Sequence, residues 1–214
     1  AIREQPDHQI PPAVLRRDEP DGSAKFITAF SALPAVTEAV RDLLQNRDGL
    51  MLGICNGFQA LVKLGLVPFG DIRPMDEECP TLTFNTIGRH QSRLVRTRVA
   101  SNLSPWLSRC EVGDIHTVPV SHGEGRFVAS PELAAQLAAN GQIATQYVDE
   151  QGVPSMSLDV TERIGLAIEG ITSPDGRILG KMGHSERRGY GLYQNVPGDR
   201  YQQLFEGGVG YFTD

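Results

Sequence analysis

The chain is organised around the stretch Gly49-Leu-Met-Leu-Gly-Ile-Cys-Asn-Gly-Phe-Gln-Ala-Leu-Val-Lys-Leu-Gly65. Residues 50–54 form a short apolar run interrupted only by one glycine, which is typical of a strand buried on both faces of a parallel sheet. From Phe58 onward the apolar residues recur at the i, i+3, i+4 spacing of an amphipathic helix. Cys55 is therefore predicted at a strand-to-helix junction.

The residues around Cys55 read Gly-x-Cys-x-Gly, which is the pattern of a nucleophile elbow with sulfur in place of the serine oxygen. Gly53 and Gly57 are expected to keep side chains out of a turn that is too tight for them. The free N–H groups and the dipole at the start of the helix favour a thiolate, so we expect a lowered pKa for Cys55. The alternative interpretation is a buried structural cysteine, since free cysteine is among the most buried residue types.

Length and composition indicate an ordinary globular α/β protein. The chain has 214 residues, of which 40% are hydrophobic and 21% charged, and this favours one domain with a substantial core. A net charge of −6 gives no basic surface for nucleic acid, and no apolar run is long enough for a membrane span or a signal peptide. We therefore expect a cytoplasmic protein that binds neither nucleic acid nor membrane.

The three cysteines do not form a recognisable framework. Cys55, Cys79 and Cys110 are an odd number and lack the Cys-x-x-Cys or histidine-rich spacing of a zinc site. Neither a disulfide framework nor a metal site is expected.

Periodicity and turn residues divide the chain into two parts. Residues 1–25 are polar, contain four prolines and are expected to be an extended or disordered lead-in, whereas residues 26–214 form the predicted domain. Within that domain a helix is expected from Pro34, and another is expected after a Ser130 cap. The turn at 173–176 predicts a hairpin between two strands.

A general base for the cysteine is offered by the segment Met182-Gly-His184-Ser-Glu186-Arg187. A two-residue spacing in extended chain places the imidazole and the carboxylate on the same side, so Glu186 can orient His184 while the second ring nitrogen faces the sulfur. The alternative is a polar loop at a strand end with both side chains solvated. An elbow cysteine earlier in the chain favours catalysis.

Three separated segments resemble one family. Gly53-Ile-Cys-Asn-Gly-Phe-Gln59 resembles the nucleophile motif of class I (triad-type) glutamine amidotransferases, and its Asn-Gly-Phe-Gln is similar to the glutaminase domains of phosphoribosylformylglycinamidine synthases. His-Gly-Glu-Gly-Arg at 122–126 and Gly-His-Ser-Glu-Arg at 183–187 are similar to segments of the same synthases. The resemblance implies a flavodoxin-like three-layer α/β sandwich with a mainly parallel sheet.

The resemblance also implies a role for each matching residue. Cys55 would attack glutamine, His184 would act as acid and base, and Glu186 would orient His184. Contacts to glutamine or its oxyanion would come from Gly53, Asn56, Gln59, Asn85 and His122. For Asn85 the alternative is a surface loop leading into an edge strand. His122 could instead contact the synthetase domain, or be a loop histidine fixed by a backbone carbonyl.

In these synthases the ammonia released from glutamine converts formylglycinamide ribonucleotide (FGAR) to formylglycinamidine ribonucleotide (FGAM). The resemblance therefore implies no cofactor in this chain, with ATP and Mg²⁺ in synthetase domains that are fused to it or bound in trans. The family's first strands and its Gly-Gly oxyanion loop are not found before the elbow, so we expect an N-terminally truncated glutaminase. The alternatives are an impaired fragment that only docks to the synthetase, or another Cys-elbow hydrolase of the same fold.

Overall fold

The computed structural model describes residues 24–155, 166–189 and 191–213, so the predicted lead-in lies almost wholly outside the described residues. The described helices are α1 (Lys25–Ser31), α2 (Pro34–Gln45), α3 (Asn56–Leu64), α4 (Leu66–Phe69), α5 (Pro131–Ala139) and α6 (Leu204–Gly210), with a 3-10 turn at Pro105–Leu107. The described strands are β1 (Met51–Ile54), β2 (Thr81–Phe84), β3 (Gln91–Val99), β4 (Ile115–His122), β5 (Glu124–Val128), β6 (Ile143–Val148), β7 (Ile168–Thr172) and β8 (Ile178–Lys181).

Six of these strands form one sheet in the order β1-β8-β7-β6-β3-β4, and β2 pairs separately with β5. Strands β1 and β8 are parallel and in register, with Ile54 opposite Lys181. The other four pairings of the described sheet are antiparallel. Strand β4 lies at one edge of this sheet, where Pro119 is tolerated because proline cannot donate to a neighbouring strand.

The α/β class is confirmed, but the expectation of a mainly parallel sheet holds only for β1 and β8 among the described strands. For β7 and β8 the physical reason lies in their connection. Strands β7 and β8 are joined by the predicted turn at 173–176, and a link this short permits only antiparallel pairing, whereas parallel neighbours need a crossover of a dozen or more residues.

Helix α3 packs directly on the strand pair that precedes the site. Its apolar face is buried as the periodicity predicts, with Phe58, Leu61 and Val62 almost inaccessible to solvent. A β-carbon on Gly180 of β8 would lie 2.1 Å from the Phe58 ring, so the helix approaches the sheet where the strand has no side chain. This close packing fixes the start of α3 relative to β1 and β8.

The two helix starts predicted from capping residues are also observed. Pro34 occupies the first position of α2, and the Ser130 hydroxyl accepts a 3.1 Å hydrogen bond from the Leu133 N–H at the start of α5. Among the described helices, none combines the length and the apolar character that a bilayer crossing requires.

Candidate active site

Cys55 forms a sharp turn between β1 and α3. Its backbone has φ 53° and ψ −107°, and its N–H donates a 2.8 Å hydrogen bond to the Lys181 carbonyl of the neighbouring strand. A β-carbon on Gly53 would lie 2.5 Å from a Leu61 methyl and 2.8 Å from the Gly57 carbonyl carbon. The turn therefore requires glycine at position 53, as predicted.

The same expectation is wrong for Gly57. A β-carbon built at this position would meet no atom of the described structure within 4 Å. Gly57 already lies inside α3, where the backbone is regular and the missing side chain would face open space. The turn therefore needs glycine only at position 53, and Gly57 leaves open space beside Cys55.

The Cys55 thiol is buried, with 2% of the residue exposed, and its sulfur lies 3.6 Å from the Ser121 carbonyl oxygen of β4. Burial raises the pKa of this thiol to about 12, although the Asn56 N–H and the positive charge of Arg187 act in the opposite direction. The expected lowering of the Cys55 pKa is therefore not observed, because desolvation outweighs the helix N-terminus. The resting sulfur is a thiol.

His184 and Glu186 form the predicted pair. Imidazole Nδ1 lies 2.6 Å from the Glu186 carboxylate, and Nε2 has no hydrogen-bond partner within the described structure. Burial acts to raise the pKa of Glu186, but the hydrogen bond and charge of His184, together with the charge of Arg187, hold it below its ordinary value. A charged Glu186 fixes the proton on Nδ1, so Nε2 is the basic nitrogen.

The sheet brings the predicted nucleophile and the predicted base to the same end of two neighbouring strands. Cys55 and His184 follow the carboxyl ends of the parallel neighbours β1 and β8. The edge strand β4 contacts both residues, because the Pro119 carbonyl accepts a 2.8 Å hydrogen bond from the His184 N–H and the Ser121 carbonyl faces the Cys55 thiol. The predicted catalytic residues are thus gathered at one end of three strands.

Asn85 and His122 are bonded to each other. The Asn85 side-chain amide donates to the His122 carbonyl at 2.8 Å and to the Arg89 carbonyl at 3.3 Å, while its oxygen lies 3.1 Å from imidazole Nδ1. Because the amide nitrogen already serves as the donor, the oxygen must accept from Nδ1–H. The His122 Nε2 atom is then a buried lone pair without a partner among the described residues.

The His122 ring is deeply buried and neutral. Burial lowers its pKa to about 3, with smaller contributions in the same direction from His90, His184 and Arg93. The ring lies against Gly125, where a β-carbon would be 2.2 Å from imidazole Cε1. Glycine at position 125 of the His-Gly-Glu-Gly-Arg segment therefore leaves room for the His122 ring.

Two side chains on the first turns of α3 also have polar atoms without a hydrogen-bond partner within the described structure. Both side-chain atoms of Asn56 are buried without a hydrogen bond. The Gln59 amide donates to the Glu124 carbonyl, but its oxygen has no partner. Buried polar atoms left unpaired cost about 1 to 3 kcal/mol each, so a polar ligand would satisfy them.

Sequence reasoning missed one buried ion pair beside the base. Lys181 and Glu169 have fully buried side chains, and the ammonium nitrogen lies 3.2 Å from the carboxylate. Their only sequence signal is a charge inside each of two otherwise apolar strands, β7 and β8. Their pairing depends on the hairpin register, which the residue pattern does not specify.

A separate group of ligating side chains lies at the other end of β4. One ligand atom each from Cys110, Asp114 and His116 lies within 4.8 Å of the others. The Asp114 carboxylate already accepts a 2.8 Å hydrogen bond from the Glu111 N–H. This group is at the opposite end of the strand from Ser121, the residue of β4 that faces Cys55.

Comparison with known proteins assigns the chain to a family. Residues 10–212 match the CobB/CobQ-like glutamine amidotransferase domain. The chain belongs to this family. Membership agrees with the class I amidotransferase resemblance of the three sequence segments.

Curated relatives of this amidotransferase share one name. The chain is 35% identical over 177 residues to phosphoribosylformylglycinamidine synthase subunit PurQ of Synechococcus elongatus, a match that covers 82% of this chain and 66% of the relative. It is 36% identical over 156 residues to the PurQ subunit of Chlorobaculum tepidum, which covers 72% of this chain and 62% of the relative. The matched region thus spans somewhat less than two thirds of each relative.

A solved structure has the same fold as this amidotransferase. A chain in the structure of PurLQS from Thermotoga maritima superposes with a TM-score of 0.57 and 23% sequence identity, covering 96% of this chain and 74% of that chain. At this identity the likeness establishes the fold alone. It supports the flavodoxin-like α/β arrangement implied by the sequence resemblance.

Proposed function

We propose that this chain is the glutaminase part of a phosphoribosylformylglycinamidine synthase and that it hydrolyses glutamine through a Cys55 thioester. The observation that carries the proposal is the placement of Cys55 and His184 after adjacent parallel strands, with Glu186 bonded to the ring nitrogen that does not serve as base. Family membership and the name shared by the curated relatives support the same reaction.

In the first step, the Cys55 sulfur attacks the carboxamide carbon of glutamine. Because the resting group is a thiol, its proton must leave for His184 Nε2 as the carbon–sulfur bond forms. The developing oxyanion can be stabilised by the Asn56 N–H at the start of α3, which in the resting site interacts with the Cys55 thiol. His184 then returns the proton to the departing nitrogen, the carbon–nitrogen bond breaks and ammonia leaves.

In the second step, His184 takes a proton from water, and the resulting hydroxide attacks the thioester. The carbon–sulfur bond breaks, His184 returns its proton to the sulfur, and glutamate is released from the restored Cys55 thiol. The buried polar atoms of Asn56, Gln59 and His122 that lack partners in the described structure are the groups we assign to binding glutamine. Gly53 contributes by permitting the turn, and Asn85 contributes by fixing the His122 ring.

The ammonia would be used by synthetase domains, fused or bound in trans, that convert FGAR to FGAM with ATP and Mg²⁺. We assign no cofactor to this chain. The cytoplasmic location expected from the sequence is part of the same proposal.

Covalent labelling tests the nucleophile. The folded protein would be treated with a diazoketone analogue of glutamine and digested, and each cysteine peptide would be analysed by mass spectrometry. We expect one adduct on Cys55, abolished by Cys55→Ser and unaffected by Cys79→Ser. A folded protein that carries no adduct on Cys55 would contradict the proposed chemistry.

A glutaminase assay with and without added synthetase domains tests the partner. Glutamate release should rise when the synthetase is present, and Cys55→Ser should abolish the increase. Binding to the synthetase without glutamate release would instead favour the docking-only alternative. Hydrolysis of amides or esters unrelated to glutamine would favour the other Cys-elbow hydrolase.

A further inference from the structure

Lys181 is hydrogen-bonded both to Cys55 and to the segment that carries His184. The Lys181 carbonyl accepts from the Cys55 N–H at 2.8 Å. Its ammonium group donates to the Gly183 carbonyl and to the Ser185 hydroxyl, each at 2.9 Å. Lys181 therefore holds the nucleophile through its backbone and both neighbours of His184 through its side chain.

Glu169 of the neighbouring strand β7 belongs to the same hydrogen-bond network. Its carboxylate lies 3.2 Å from the Lys181 ammonium and accepts from the Gly183 N–H, while its other oxygen accepts from the Thr145 hydroxyl. The Gly183 residue is thus bound at its N–H by Glu169 and at its carbonyl by Lys181. The Ser185 hydroxyl extends the network with a 2.7 Å hydrogen bond to the Gln202 amide oxygen.

A buried ion pair is a poor source of net stability, because the cost of removing two charges from water offsets their attraction. Apolar side chains would fill the same space between β7 and β8 at no such cost. Apolar side chains could not make hydrogen bonds to residues 183–185, the segment that carries His184. These hydrogen bonds therefore distinguish the Glu169–Lys181 pair from apolar packing.

We propose that the Glu169–Lys181 ion pair positions the base segment, residues 183–185, so that His184 meets the Cys55 thiol in a reactive geometry. Both are positioning residues, since they act through His184 and not on the substrate. This inference rests on the proposed function for the reaction, glutamine hydrolysis. The effect of the ion pair on the geometry of His184 relative to Cys55 can be tested without it. A misplacement of about 1 Å can cost roughly 100-fold in rate.

The test uses a variant designed to stay folded. The double change Lys181→Met and Glu169→Leu removes both charges and keeps similar volume, whereas a single change leaves an uncompensated buried charge. Glu169→Gln is a second variant that keeps the side-chain shape but leaves the buried Lys181 charge without its partner, so its folding is checked first. The matched control is Gln142→Leu, which removes a buried amide that donates to the Pro68 and Thr172 carbonyls at 2.9 Å and 3.0 Å, away from the base segment.

The first measurement is the rate of Cys55 alkylation by iodoacetamide as a function of pH, followed on the Cys55 peptide by mass spectrometry. A base-assisted thiol reacts near neutral pH, so the wild-type rate should exceed that of His184→Ala. We expect the double variant to react about tenfold or more slowly and to approach the His184→Ala profile. Glu169→Gln should lie between them, and Gln142→Leu should follow the wild type.

The second measurement is glutaminase kinetics with the synthetase partner. The double variant should lower kcat about 10- to 100-fold with KM changed far less, because glutamine contacts are retained. A wild-type alkylation profile in the folded double variant would overturn the proposal, as would equal rates in wild type and His184→Ala. If no glutaminase activity is found with any partner, the proposed function fails while the alkylation profiles still decide the positioning role.

Discussion

The Cys55 sulfur lies 3.6 Å from the Ser121 carbonyl oxygen, in the geometry of a thiol that donates a hydrogen bond to a backbone acceptor. A carbonyl oxygen can only accept, so this contact stabilises the protonated sulfur and opposes a thiolate. The arrangement differs from a resting thiolate–imidazolium pair. It requires that proton transfer to His184 accompany attack on the substrate.

The first prediction concerns stability at high pH. The unfolded Cys55 thiol ionises near its ordinary pKa of 9.0, whereas the folded thiol stays protonated until about 12. Over that range the unfolded state releases a proton that the folded state keeps, so the free energy of unfolding should fall by about 1.4 kcal/mol per pH unit relative to Cys55→Ala. Denaturant unfolding of both proteins between pH 9 and 12 measures the difference, and parallel curves would contradict it.

The second prediction concerns stability at low pH. Folded His122 has a pKa of about 3 against an ordinary value of 6.5, so the unfolded state binds a proton that the folded state refuses as the pH falls between these values. The wild type should therefore lose about 1.4 kcal/mol per pH unit in this range relative to His122→Gln. Unfolding curves at several pH values provide the measurement. Carboxylates that titrate in both proteins cancel in the comparison, and identical slopes would show that His122 protonates in the folded state.

The third prediction separates the two elbow glycines. Gly53→Ala should destabilise the protein by about 1 to 3 kcal/mol, because its β-carbon would overlap the Leu61 side chain and the Gly57 backbone. Gly57→Ala should instead be neutral or stabilising by up to about 1 kcal/mol, since alanine favours the helix and its β-carbon meets no described atom. Denaturant unfolding compares the two variants directly.

The same pair of variants tests how glutamine approaches. If substrate enters beside Gly57, the alanine variant should raise KM while leaving stability intact. Equal destabilisation by Gly53→Ala and Gly57→Ala would contradict the difference in packing at the two glycines.

The fourth prediction concerns the His184 orientation. Glu186→Gln keeps an acceptor for imidazole Nδ1 but removes the charge that lies 2.6 Å from the ring, so the imidazolium formed during attack loses its stabilisation. We expect kcat to fall roughly 10²- to 10⁴-fold with little change in KM. Steady-state glutaminase kinetics measure this effect. Arg187→Gln serves as the nearby control, with a much smaller effect, because its guanidinium lies 3.7 Å from the same carboxylate and is half exposed.

Local patterns predicted the parts of the site that local geometry determines. The Gly53 turn, the apolar face of α3 and the His184–Glu186 spacing each depend on residues close in sequence, and the structure shows each of them. The hairpin at 173–176 was predictable for the same reason, since its turn residues restrict the backbone directly.

Features that depend on distant residues were not predictable in this way. The Cys55 pKa is set by burial, and the Ser121 carbonyl that faces the thiol comes from β4. The Glu169–Lys181 pair depends on the register of β7 against β8, and the antiparallel pairing of β3 with β6 joins strands that are far apart in the chain. A one-dimensional pattern does not specify which strand covers which residue.

The backbone of Cys55 has a further consequence. A residue with φ 53° and ψ −107° lies in a region that glycine occupies freely and other residues occupy at a cost of about 1 to 3 kcal/mol. Selection for stability and selection for chemistry therefore favour different residues at this position. Screening a library of variants for thermal tolerance should enrich glycine at position 55, whereas screening for ammonia release should retain cysteine.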